Sequence, residues 1–153
     1  METRINICKI APDGIAAMRG LEQVVSKSGI ESSLRELVKL RVSQMNGCAY
    51  CIDMHSKDAR AGGVSEQRIY ALNAWRETPF FSDRERAALE WAEKITNIGV
   101  DHAPDDVYLH VRQFFSEAEL VNLTLAIVAI NGWNRLAIAF RAVPGSYQTK
   151  SAG

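Results

Sequence analysis

Cys48 and Cys51 are separated by two residues, and His55 lies four residues beyond the second cysteine. On a helix, at about 100° per residue, positions 48, 51 and 55 fall within about 60° of one another. Both sulfurs and the imidazole would share one stripe, with Cys51 and His55 as direct i,i+4 neighbours. A thiol beside a proton acceptor is how a protein makes a thiolate near neutral pH. Two thiols one helical turn apart can also close reversibly into a disulfide.

The elements that must hold these groups are legible around them. Asn46-Gly47 is a turn dipeptide, and Gly47 is a natural left-handed helix terminator. Cys48 then falls at the start of the next helix, where free N–H groups and the helix dipole favour a negative sulfur. Cys51 lies one turn deeper, with His55 one turn further on. On the helix field alone, Cys48 is the favoured nucleophile. Glu36 has two readings. Ser33-Leu34-Arg35-Glu36 matches a capping box, in which Glu36 merely closes a helix start. If the helix begins earlier, near Ser28 to Glu31, Glu36 lies mid-helix and faces the dithiol helix. Spacing leaves both open.

Other chemistries fit the pair less well. Structural zinc would use Cys48, Cys51 and His55 with a fourth ligand from Glu36, His102, His110 or Cys8, but no second knuckle with metal-like spacing exists. Haem attachment requires a histidine directly after the second cysteine, where Ile52 stands. Two inert buried cysteines are the third alternative.

The remaining pattern is helical throughout. Pro12-Asp13-Gly14 opens a stretch with Ile15, Met18, Leu21, Val24 and Val25 at spacings of three and four, stopped by Ser28-Gly29. A second helix spans about Glu31 to Gln44, and the dithiol helix ends near Gly62-Gly63. Ser65 can cap a helix carrying Ile69, Leu72 and Trp75. Ser82-Asp83-Arg84-Glu85 and Ser116-Glu117-Ala118-Glu119 are capping boxes. The second opens a long helix through Phe140, and a shorter helix from about Asp105 to Phe114 precedes it. No run alternates with period two. An all-α fold is expected.

At 153 residues, 47% hydrophobic and 24% charged, the chain reads as one globular domain, residues 1–153. Its redox core covers about 30–115, a closing helix about 116–141, and a less ordered tail 144–153. Eighteen basic residues balance eighteen acidic ones. No basic stripe points to nucleic acid, and no polybasic cluster points to a membrane surface. The start has no secretory signal, and three cysteines, an odd number, do not make a secreted disulfide framework. A cytoplasmic location, where a dithiol is usually catalytic or redox-sensing, is expected.

The last helix is apolar almost all round, from Leu120 to Phe140. Asn122, Thr124, Asn131, Asn134 and Arg135 interrupt it, so burial is expected rather than a membrane span. A small domain has few places to bury such a helix on every side, and part of it is expected in a subunit interface. Asn134 and Arg135 need partners there, an intersubunit bond being the preferred reading.

Glu36, Cys48-x-x-Cys51 and His55 together resemble the signature of the alkyl hydroperoxidase D (AhpD) core, within the carboxymuconolactone decarboxylase superfamily. Leu40-Arg41-Val42-Ser43, Ala59-Arg60-Ala61-Gly62-Gly63, Asn131-Gly132-Trp133-Asn134-Arg135 and Phe140-Arg141-Ala142-Val143-Pro144-Gly145 extend the likeness over roughly residues 30 to 147. The resemblance implies an AhpD-like helical bundle assembled as a homotrimer or homohexamer. It also implies thiol-dependent reduction of alkyl or hydrogen peroxides, without metal or organic cofactor. Cys51 would attack the peroxide, Cys48 would resolve the sulfenic acid, and Glu36 and His55 would relay the proton. The reductant would be a protein dithiol or a lipoyl group. One departure stands out: where the better-known AhpD proteins carry a histidine before the second cysteine, this chain has Tyr50, a poor base near neutral pH. Weak peroxidase activity or a different oxidant would follow from that.

The rival functions are a dithiol redox sensor cycling stoichiometrically and an oligomer holding structural zinc. His102 and His110 read as surface or satisfied core residues. Trp75, Trp91 and Trp133 read as packing residues. Cys8 reads as an incidental thiol. Tyr147, in the tail, could reach across an interface.

Overall fold

The structure, a computed structural model, describes residues 1–149. The final part of the expected tail, 150–153, lies outside the described residues. Nine α-helices appear among the described residues: α1 (Ile7–Ile10), α2 (Pro12–Ser26), α3 (Ser32–Asn46), α4 (Ala49–Ala61), α5 (Glu66–Ala71), α6 (Asp83–Thr96), α7 (Ile98–Asp101), α8 (Asp105–Val111) and α9 (Glu117–Ala139). No strand occurs among them, and the fold is all-α.

Helix starts follow local chemistry. Pro12 occupies the first turn of α2, where a missing N–H costs nothing. Ser82 with Glu85 and Ser116 with Glu119 form complete capping boxes at α6 and α9. The helix that Ser65 caps departs from expectation: α5 stops at Ala71 and gives way to a 3-10 helix, Leu72–Glu77, broken at Ala74. At about three residues per turn, Leu72 and Trp75 come to lie one above the other. Both are buried.

Helix α3 is the centre of the molecule and packs on α4, α6 and α9. Leu34, Val38 and Val42, four residues apart, face a cluster with Trp91, Phe115, Leu123, Ile127 and Ile130. Leu37 and Leu40, on another side, face Ala59, Val64, Leu72, Trp75 and Leu89. Helix α4 lies between these layers: its cysteines belong to the first cluster and its Ala59 to the second.

Among the described residues, α9 alone is long and apolar enough to cross a membrane by length and composition. It instead packs on α2, α3, α4 and α6. Its polar side chains are satisfied inside the chain: Asn122 donates to the Ser28 carbonyl, and Thr124 accepts from the Trp91 indole. Asn134, expected to bond across an interface, is buried and donates to Ser43 Oγ while accepting from Asn46. Arg135 folds back onto Asn131 of its own helix. One stripe of α9 is not covered by the chain: Val121 is 60% and Val128 51% exposed.

Candidate active site

The dithiol is presented by a two-residue corner between α3 and α4. Gly47 adopts φ +68°, a left-handed conformation that glycine takes without steric cost. Its N–H bonds the Gln44 carbonyl, and the Cys48 N–H bonds the Ser43 carbonyl at 3.0 Å. These two bonds are the pair that closes a Schellman motif. Asn46, the last residue of α3, donates to Asn131 at 3.0 Å and to Asn134 at 2.9 Å. Asn131 passes on to Thr96, and Asn134 to Ser43. This asparagine network ties the corner to α9 and α6, and full satisfaction makes it rigid.

Cys48 is the N-cap of α4, and its sulfur accepts the Cys51 N–H at 3.4 Å. The two cysteines are joined as a disulfide with Cα atoms 5.3 Å apart, so the structure represents the oxidised state. Their exposures are only 1% and 2%. One turn after Cys51, His55 is 5% exposed, and its Nδ1 lies 2.8 Å from Glu36 Oε2. With Nδ1 committed to the carboxylate, Nε2 is the ring nitrogen outside that bond.

Glu36 is mid-helix. Its capping-box reading fails because α3 already begins at Ser32, which places Leu34, Val38 and Val42 on the core. Burial opposes ionisation of Glu36, but the His55 bond and charge, with Lys39 and Arg35 nearby, hold its carboxyl below the ordinary range.

The structure adds two members that the sequence reading did not assign. Asp58 brings a carboxylate oxygen within 4.8 Å of the Glu36 and His55 ligand atoms. It had a signal, since 51, 55 and 58 share one helical stripe. Tyr147 donates its hydroxyl to Asp58 Oδ1 at 2.7 Å, and no local pattern could have placed it there. The segment leading to it is pinned on α4: the Gly145 N–H bonds Asp53 at 3.0 Å, and Lys57 bonds the Tyr147 carbonyl at 3.1 Å. An open cleft of about 270 Å³ adjoins, lined by Ile5, Tyr50, Leu136, Phe140, Val143 and Ser146 among others. Tyr50 thus connects this cleft to the turn between the cysteines.

The other candidates lie apart from this group. Cys8 is exposed on α1 beside Arg19. His102 ends α7 in a left-handed conformation, and His110 contacts Glu90 at 3.2 Å. Trp75, Trp91 and Trp133 all pack against the two hydrophobic clusters. In this oxidised state the cysteines are bonded to each other, and the nearby atoms that could ligate a metal are those of Glu36, His55 and Asp58.

An all-helical chain with a dithiol at a helix start, backed by a buried His–Glu pair, defines the class. Residues 12–94 match the carboxymuconolactone decarboxylase family, and the chain belongs to it. It is 50% identical over 139 residues to an uncharacterized protein of Bacillus subtilis, YdfG, covering 91% of this chain and 95% of that one. A solved structure from Agrobacterium tumefaciens, of unknown function and linked by name with antioxidant defence and AhpD, superposes with a TM-score of 0.92. It shares 44% identity and covers 95% of this chain and all of its own. The alkyl hydroperoxide reductase AhpD of Bradyrhizobium diazoefficiens is 44% identical over 46 residues, 30% of this chain and 25% of its own length.

Proposed function

We propose that the protein is a dithiol-dependent peroxidase that reduces alkyl or hydrogen peroxides through Cys48 and Cys51. The observation that carries this reading is the disulfide at the start of α4 with buried His55 one turn below it, bonded to the partly buried Glu36. In the reduced enzyme His55 takes the Cys51 thiol proton, and the carboxylate of Glu36 orients the ring and offsets its charge. The Cys51 thiolate attacks a peroxide oxygen, so an S–O bond forms and the O–O bond breaks. The leaving alkoxide or hydroxide takes a proton from His55. Cys48 then attacks the Cys51 sulfenic acid; the S–S bond forms, and the displaced hydroxide leaves as water. A protein dithiol or dihydrolipoyl group returns two electrons and two protons by thiol–disulfide exchange. The cleft beside Tyr50 suits the apolar part of an organic hydroperoxide.

The order of the two sulfurs follows the family resemblance, while the N-cap position of Cys48 argues for the reverse. Sulfenic acid trapping decides between them. The proposed order requires a trappable sulfenic acid in Cys48→Ser and none in Cys51→Ser; the opposite result exchanges the roles. Peroxide consumption with excess dithiol tests the enzyme itself. Consumption of one equivalent followed by silence would favour a stoichiometric sensor.

The uncovered stripe of α9 supports a homo-oligomer, trimer or hexamer, built through Val121 and Val128. A buried valine replaced by a charge is costly, so Val128→Glu is expected to lower the sedimenting mass to that of a smaller species. An unchanged mass would remove this face from the interface.

A further inference from the structure

We propose that Tyr147 is a positioning residue of the redox site, acting through Asp58 to hold the His55–Glu36 pair. The inference rests on the dithiol reading of the site but not on peroxide as its oxidant. Glu36 and Asp58 both approach His55, and two carboxylates so placed repel one another. The Tyr147 hydroxyl donates to Asp58 at 2.7 Å and holds it beside His55 against that repulsion. Burial and the Asp58 bond keep the phenol protonated, so it serves as a fixed donor and not as a proton carrier.

The segment that carries Tyr147 is built as a strap. Gly145, at φ +97°, turns the backbone so that its N–H meets Asp53. Lys57 bridges Asp53 and the Tyr147 carbonyl, joining both ends of the strap to one face of α4. Lys57 and the Gly145 N–H together hold the Asp53 carboxyl below its ordinary range. Ala142, Val143 and Ser146 of the same segment wall the cleft that Tyr50 enters. One short stretch of chain therefore borders both the cleft and the proton-transfer pair. A tail needing only an anchor already has one at Asp53 and Lys57; the half-buried phenol bonded to Asp58 is additional.

The test reads the Cys51 thiol directly. Reduced protein in a Cys48→Ser background is alkylated with iodoacetamide across pH, for the parent, Tyr147→Phe, Asp58→Asn, the double variant and Lys57→Ala. Titrating or charged groups around the cluster are Arg35, Glu36 and Lys39 from α3, Tyr50, Asp53, His55 and Lys57 from α4, and Tyr147. Tyr147→Phe keeps the ring and removes only the donor, so Asp58 is free to swing away from His55. Both single variants are expected to raise the midpoint by about half a pH unit, roughly threefold slower alkylation below it. The double variant is expected to match either one, because the two residues act as a unit. Lys57→Ala removes one tie of the strap but leaves the hydroxyl and the Gly145–Asp53 bond, and it is expected to move the midpoint by less than either single variant.

An unmoved midpoint in Tyr147→Phe overturns the proposal, as does an equal shift in Lys57→Ala. Peroxide turnover is measured on the same reductant-loaded variants with Cys48 restored. A shifted midpoint without turnover would sink the peroxidase reading and leave the positioning role standing. Turnover with an unmoved midpoint would do the reverse.

Discussion

Two histidine–glutamate pairs made through the same atoms occur among the described residues. In one, His55 Nδ1 meets Glu36 Oε2 at 2.8 Å; in the other, His110 Nδ1 meets Glu90 Oε2 at 3.2 Å. The first joins the two central helices, and both its partners are largely buried. The second ties α8 to α6 with the His110 side chain 46% exposed. His110 also stands in the last turn of its helix and meets Phe114 edge-on, with ring centroids 5.5 Å apart. A helix C-terminus, an aromatic edge and a surface carboxylate account for His110 without any reaction. His55 differs in being buried and in standing one turn from the disulfide. The pairing alone therefore does not separate the two histidines; burial and the disulfide one turn away do.

The largest expected difference lies at the sulfur. Cys51→Ser is expected to abolish both the disulfide and catalytic turnover, measured as peroxide consumption with excess dithiol. Residual turnover at the parent rate would end the dithiol mechanism. Next come the two histidines, measured in parallel. His55→Ala is expected to lower kcat/KM by about 10²–10⁴-fold, the usual worth of a positioned general acid–base. His110→Ala is expected to leave it unchanged. Equal losses at both positions would mean that the buried pair holds no catalytic privilege.

A subtler separation appears in stability. Glu36→Gln keeps an oxygen for His55 but removes the charge, and charge-assisted bonds of this kind contribute about 1.5–3 kcal/mol. Because the folded-state pKa of Glu36 lies below its ordinary 4.5, its ionisation stabilises the fold fully above that value. That contribution disappears as the pH falls through the lower folded value. The gap between parent and Glu36→Gln in denaturant unfolding should thus be widest above pH 4.5 and close as the pH falls from there through the lower folded value. A gap that stays constant with pH would show that the carboxylate is not ionised against His55.

What could be read from the sequence was whatever depends on neighbours a turn or two away. The caps at Ser82 and Ser116 and the left-handed Gly47 are local chemistry and stand where the sequence places them. The stripe formed by Cys51 and His55 follows from helical period alone. Glu36 was ambiguous because two overlapping local signals competed, and only the pull of Leu34, Val38 and Val42 into the core decides where α3 begins. Asn134 was read across an interface because a polar group in an apolar helix needs a partner. Its partners, Ser43 and Asn46, lie on α3, far away in sequence. Tyr147 is the extreme case, since its bond to Asp58 depends on the whole path of the chain around α9.

The smallest effect is expected at the exposed pair and is the sharpest control on the buried one. Glu90→Gln alters a contact between a half-exposed histidine and a carboxylate that also lies 3.8 Å from Arg76. Exposed pairs contribute about 0–1 kcal/mol, and charges at the surface are screened over about 8 Å at physiological ionic strength. The change in unfolding free energy should stay below about 0.5 kcal/mol, and 1 M salt, where screening falls to about 3 Å, should remove most of it. Glu36→Gln, shielded from solvent, should keep most of its effect in the same salt. If both responded alike, burial would not be what separates the two pairs, and proximity to the cysteines alone would have to carry the distinction.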